Sequence, residues 1–249
     1  MNALRRQLAK ICLGLTALAF GGCAGPSKPF RWPWSDPDQT ADLAKYGPTS
    51  KQKIEQLRAM AATAGGSDAA SQERVANELA QQMRQERDPL VRCEIVLTLG
   101  SIKNPTATAV IGGALKDPDK DVRIAACQAW GKRGAPREQA FFDLNTYAYS
   151  EDPEAARLLG ETLASDSDVD VRLAATKALG QIKDPKTVPF LAVALEDPNP
   201  ALQLRAVESL RGASGKDFGN DVNLWREYVK NPSIEPPEQS LADRARKLF

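Results

Sequence analysis

Residues 117–131 read DPDKDVRIAACQAWG and residues 166–180 read DSDVDVRLAATKALG, two copies of one pattern. In the first, Val122, Ala125, Ala126, Ala129 and Trp130 fall at i, i+3, i+4, i+7 and i+8. In the second, Val171, Ala174, Ala175, Ala178 and Leu179 do the same. That spacing places one narrow apolar stripe on a helix, and the alanines let a neighbouring helix approach closely. The same anchor occurs as Val91-Arg92, 31 residues before Val122-Arg123. Val171-Arg172 follows Val122 after 49 residues, one period plus 18, and Leu202-Gln203 comes 31 residues later. Nine residues after three of the anchors stand Gly100, Gly131 and Gly180, which the pattern predicts as helix ends. Pro105, Pro136 and Pro185 then open a second helix, with Asn104 or Asp184 ahead as cap. Val110, Ile111, Ala114 and Leu115 form its stripe in one unit, and Phe190, Leu191, Ala194 and Leu195 in another. Asp117-Pro118, Asp166-Ser167 and Asp197-Pro198 restart the cycle, each five residues before the next anchor.

The run D-P-x-x-x-V-R-x-A-A-x-x-A-L-G followed by x-x-x-P resembles the HEAT repeat, in the short form also found in phycobilisome lyases. The resemblance covers roughly residues 68–212 and implies an all-α fold, an α-solenoid of stacked helix pairs with a curved binding surface. A single pair cannot hide its stripe, but each neighbour covers the last, so stability grows by stacking. Glu94 replaces an alanine in the unit of Val91, as expected of an atypical terminal repeat. Gln203 and Arg205 depart from the pattern in the last unit, which predicts a capping role there. Residues 49–63 and 71–83 read as helices flanking the first anchor. Trp225 and Phe218 read as a plug on the last open core.

The chain has 249 residues, 42% hydrophobic and 26% charged, with no histidine. Lacking imidazole, it has no Ser-His or Cys-His nucleophile pair and no zinc site that needs that ligand. Cys12, Cys23, Cys93 and Cys127 form neither a disulfide-dense scaffold nor a CxxC knuckle. No phosphate loop, nucleophile elbow or calcium loop occurs. The expectation is no enzyme, no cofactor and no metal.

Residues 1–22 read as an export signal. Arg5, Arg6 and Lys10 precede the apolar run Ile11 to Phe20, too short for a spanning helix, which takes about 20 apolar residues. The end of the run, AFGGC at 19–23, resembles a bacterial lipobox, with Phe20 where that family usually has Leu, Val or Ile. The resemblance implies cleavage before Cys23 and acylation of its sulfur and new amino group, palmitate included. Ala24 next to it goes with outer-membrane sorting in that family, facing the periplasm. The alternative is an ordinary secretory signal cleaved near Ala24. Removing residues 1–22 takes three basic residues and no acidic one from 33 and 32, leaving 30 against 32, a net of −2. Such a body lacks the basic stripe that nucleic acid demands. Residues 23–49 hold five prolines and read as a stiff tether. Within it Phe30, Trp32 and Trp34 are either a membrane foot or a cap on the first helices. The solenoid spans 50–230, with an insertion at 135–152, and 231–249 is a tail with a short helix at 239–248.

Arg92, Arg123 and Arg172, with Asp117 and Asp166, read as a structural ladder, because catalytic residues do not recur once per repeat. Cys93 and Cys127 read as small core residues, with a disulfide left open. The 135–152 insertion carries Phe141, Phe142, Tyr147 and Tyr149; packing suits the phenylalanines, and partner contact suits Tyr147 and Tyr149. These features describe a lipid-anchored, non-catalytic scaffold of the bacterial envelope that binds another envelope protein or a wall component. A bilin-lyase-like enzyme or enzyme accessory is the alternative, resting on the repeat resemblance alone.

Overall fold

Each repeat starts on an Asp or Asn whose side chain accepts the first free backbone N–H groups of a helix. Asp119 takes Asp121 N at 2.9 Å, Asp168 takes Asp170 N at 2.8 Å, and Asn199 takes Ala201 N at 2.9 Å. The protein is seen here in a computed structural model that describes residues 45, 47–64, 68–135 and 153–236. The helices from Ser50 onward belong to one compact unit.

The helices are α1 Ser50–Ala64, α2 Ala69–Gln85, α3 Pro89–Leu99, α4 Pro105–Ala114 and α5 Lys120–Gly134. After them come α6 Pro153–Ser165, α7 Val169–Ile182, α8 Val188–Leu195, α9 Pro200–Ser214 and α10 Val222–Lys230. A 3-10 turn, Pro185–Thr187, capped by Asp184, leads into α8. No strand occurs among the described residues. Odd-numbered helices stack on one another as a first layer, α1 on α3 through to α9. Even-numbered helices form a second layer, α2 on α4, then α6 on α8 and α8 on α10. The fold is an all-α solenoid.

Between the layers lies one continuous core. Val91, Val122, Val171 and Leu202, the four anchors, are all fully buried, as are Ile111 and Leu191 from the second layer. Phe218, Trp225 and Tyr228 close the last pair: ring centroids lie 5.0 to 5.8 Å apart, and Trp225 Nε1 donates to Gly219 O at 2.9 Å. Arg226 ties α10 back to α8 through Leu195 O at 2.7 Å and Glu196 at 3.1 Å.

Two expectations need correction. Gly131 and Gly180 do not end helices; they lie inside α5 and α7, and α7 runs on to Lys183, which turns the chain at φ +52°. Their role is close approach. A Cβ on Gly100 would lie 3.0 Å from Ala129 Cβ, one on Gly131 2.9 Å from Ala178 Cβ, and one on Gly180 2.7 Å from Ser209 Cβ. Each of these three glycines therefore receives the residue seven after the anchor of the next first-layer helix. Second, the unit of Val91 is not terminal. α1 and α2 form a pair before it, and Glu94 is explained by its ion pair with Arg58 of α1 at 3.2 Å. Cys93 and Cys127 are free thiols, half-buried and buried, and the disulfide left open in the sequence is not formed. Pro136, Phe141, Phe142, the FRWPW cluster and the 239–248 segment lie outside the described residues.

Candidate functional site: the open face of the first layer

The ladder residues set the register on which this face depends. Arg92 grips Asp117 with Nε and Nη2 at 3.1 and 2.8 Å, and Arg123 grips Asp166 at 2.8 and 3.2 Å. Arg172 likewise pairs with Asp197 of the next turn, with Nε 3.3 Å from Oδ2. Each guanidinium also donates through Nη1 to a carbonyl of its own turn: Arg87 O, Asp117 O and Asp166 O, all at 3.0 Å. The carboxylates in turn accept the N–H of the capping residue two places on, as Asp117 does from Asp119 and Asp166 from Asp168, both at 2.9 Å. One guanidinium thus joins a turn to the next, and the fork geometry fixes the orientation. Gln203 keeps half of this function, donating to Asp197 O at 2.8 Å.

A further rung lies where the repeat pattern fails. Lys53 of α1 donates to Glu86 at 2.8 Å, and Glu86 accepts Asp88 N at 3.0 Å, as the aspartates do elsewhere. Thr98 Oγ1 also donates to Leu57 O, just as Ser209 Oγ donates to Thr176 O. Both contacts align Gln52 with the anchors. The matched residue types, Lys for Arg and Glu for Asp, were the signal available in sequence, but Gln52 in place of Val conceals it. Since equal repeat positions meet at both ends of each neighbouring pair, the five first-layer helices run parallel.

On the side away from the second layer, the residue two after each anchor forms a row: Ile54, Cys93, Ile124, Leu173 and Leu204. The first four are partly buried against the core, and Leu204 is 47% exposed. This apolar row crosses all five helices, one side chain per helix. At the start of α5 and α7, Asp119, Asp121, Asp168 and Asp170 border it, with Lys120 bound to Asp170 at 2.8 Å. Beyond the row the same helices expose Gln128, Lys132, Lys177 and Gln181, and their second halves carry no carboxylate.

The second layer opens between α4 and α6, the one successive pair there without close packing. The cleft has a volume of about 1240 Å³. Thr108, Ala109 and Gly112 form one wall, and Arg157, Leu158 and Glu161 the other. Arg133 lies on its floor, donating to Ile102 O at 2.9 Å and Thr108 Oγ1 at 2.7 Å, with its guanidinium 5.5 Å over the Trp130 ring. Glu161 and Glu154 are engaged by Arg157. The chain leaves α5 and re-enters α6 beside this cleft.

Cys93 is partly buried and its thiol is pushed up to about 11, first by burial and then by Asp119 and Asp121. Burial likewise raises Cys127 to about 12. Neither is a nucleophile at neutral pH. Among the described residues no group of Asp, Glu or Cys could hold a metal ion, and no helix is long and apolar enough to cross a membrane. Cys23, Tyr147 and Tyr149 lie outside the described residues.

Comparison with curated proteins gives no match. Among solved structures, the chain is similar to the crystal structure of an engineered protein. The identity is 14% over 78% of this chain and 97% of the other, with a TM-score of 0.44. The family model for HEAT repeats matches residues 76–157 and 156–217, more than half of the chain. Those spans take in every Val-Arg anchor and the guanidinium ladder between them, and the chain belongs to the HEAT-repeat family.

Proposed function

We propose that this protein is a non-catalytic scaffold of the bacterial envelope, held to the membrane by acyl chains on Cys23, whose first-layer face binds another envelope protein or a wall component. HEAT repeats point to protein interaction, and the observation that carries the reading further is the apolar row from Ile54 to Leu204. The row sets one apolar side chain per helix on a face that no described element covers, and a partner laid along it gains a continuous contact. The arginine next to each anchor is engaged in the ladder, which leaves this face free of guanidinium forks over α5 and α7.

The anchor is supported by the sequence. Two or more acyl chains hold firmly, at about 0.8 kcal/mol per buried methylene. The intact mass of protein extracted from membranes tests it: loss of residues 1–22 with a diacylglyceryl and an N-acyl group on Cys23 is expected. An unmodified chain beginning at Ala24 would overturn the anchor. For the face, a photo-crosslinking residue placed at Leu173 or Leu204 is expected to give adducts in cells, while one at Val193 on the second layer gives none. Equal adducts, or none from the face, would overturn the scaffold reading.

A further inference from the structure

We infer that the occupant of the first-layer face is an amphipathic α-helix lying across the five parallel helices, cationic along one flank and anionic along the other. This rests on the scaffold reading above and specifies its partner. Three observations carry it.

The first is pitch. Packed helices stand about 8–10 Å apart, so the row offers one apolar side chain per 8–10 Å. A crossing helix that repeats an apolar residue every seven positions presents one per about 10.5 Å. The two periods differ by about 0.5–2.5 Å per rung, so the match holds between neighbouring rungs and drifts across all five.

The second is width. Asp121 and Lys132 are eleven residues apart on α5, which is about 16 Å along the axis. A helix with its side chains is about 10–12 Å across, and charged side chains on its flanks then reach both borders. An extended or polyproline segment laid on the row is too narrow to reach both at once.

The third is charge. At the border formed by the starts of α5 and α7, four carboxylates (Asp119, Asp121, Asp168 and Asp170) stand against one ammonium, Lys120, which lies 2.8 Å from Asp170 and 3.9 Å from Asp168. The opposite border carries Lys132 and Lys177, with Lys183 at the end of α7, and no carboxylate in the second half of either helix. Lys132 is satisfied locally by Ser101 at 2.9 Å, and Lys177 is exposed. Acids at helix starts and lysines at helix ends also complement the helix dipoles. Because the helices are parallel, that local preference gives the face one negative and one positive margin over α5 and α7. A ligand with a single sign of charge meets repulsion on one side or the other. Reversing the direction of the helix exchanges its flanks, so the geometry demands opposite charges on the two flanks and not a particular hand.

The test uses the full chain carrying Cys23→Ser, which removes the lipid-bearing sulfur, and three labelled peptides of about three heptads, or about 30 Å of helix. All share a Leu stripe; their flanks are Lys and Glu, Lys and Lys, or Glu and Glu. Fluorescence anisotropy is expected to show the mixed peptide binding about tenfold more tightly than either of the others. The double variant Asp121→Lys with Asp170→Lys is expected to shift the preference to the Glu-flanked peptide. Lys132→Glu with Lys177→Glu is expected to shift it to the Lys-flanked peptide, and provides the answer if the first variant fails to fold. Equal binding of the three peptides, a ranking unmoved by either double variant, or binding of none overturns the inference. The scaffold reading fails separately, when crosslinks from Leu173 and Leu204 are missing in cells.

Discussion

Gly180 and Gly113 show how one residue type takes opposite meanings from its surroundings. A Cβ on Gly180 would come within 2.6–2.8 Å of Ser209 Oγ, Cβ and Cα, and the Cα cannot move without shifting α9. A Cβ on Gly113, inside α4, would meet nothing within 4 Å. Gly180→Ala is therefore expected to destabilise by about 1–3 kcal/mol through overpacking. Gly113→Ala is expected to stabilise by about 0.5–1 kcal/mol by reducing the freedom of the unfolded chain. Urea unfolding of both variants checks the pair, and equal signs would refute the assignment of Gly180 to a helix seam. The ladder yields a second expectation. The Arg123 and Asp166 side chains are only 15% and 9% exposed. Arg123→Ala strands a shielded carboxylate and removes the tie to Asp117 O, at a cost of about 2–4 kcal/mol in the unfolding midpoint. A loss below about 0.5 kcal/mol would make the fork a surface pair.

Between elements, the Lys53–Glu86 rung joins α1 to the start of α3, and Ser50 Oγ donates to Asp88 beside it. Burial works to raise the Glu86 pKa. It is outweighed by the hydrogen bond from Lys53, the N–H groups of Asp88 and Arg87, and the Lys53 charge, so the carboxyl lies below its ordinary value of 4.5. A carboxylate depressed on folding stabilises above its unfolded value, and that contribution disappears as pH falls through the folded value. Glu86→Gln is thus expected to lower the melting temperature at pH 7 relative to wild type. The gap should close as pH falls below 4.5 and through the lower folded value. A gap independent of pH would show that the rung acts through packing and not through charge. This helix pair was half visible beforehand. Residues 49–63 and 71–83 read as helices, but with Gln52 at the anchor position nothing local marked them as a repeat. Only the partners chosen by Lys53 and Thr98 reveal it.

At the scale of the molecule, stability in a solenoid is the sum of neighbour contacts, so damage at one end is felt there first. Trp225 is fully buried and completes the core of α8, α9 and α10. Trp225→Ala is expected to cost about 3–5 kcal/mol. Hydrogen exchange should accelerate in α8 to α10 well before α1 and α3 respond. Uniform acceleration along the chain would instead mean that the array unfolds as one unit.

By itself, the sequence determined the layer structure. Stripe spacing from Val122 to Trp130, Asp and Asn caps, and prolines at helix starts are local signals, set by backbone hydrogen bonding and by which residues shun water, and they act over a few residues. Tertiary structure alone decided what depends on neighbours distant in the chain. Gly131 and Gly180 read as helix ends until α7 and α9 lay against them. Each ladder arginine takes its carboxylate from the following turn, so that Arg172 pairs with Asp197 and not with Asp166 of its own turn. The row from Ile54 to Leu204 and its two charged borders exist only because parallel stacking sets residues 31 to 49 positions apart side by side. Contact between helices is a property of the stack, and no single repeat contains it.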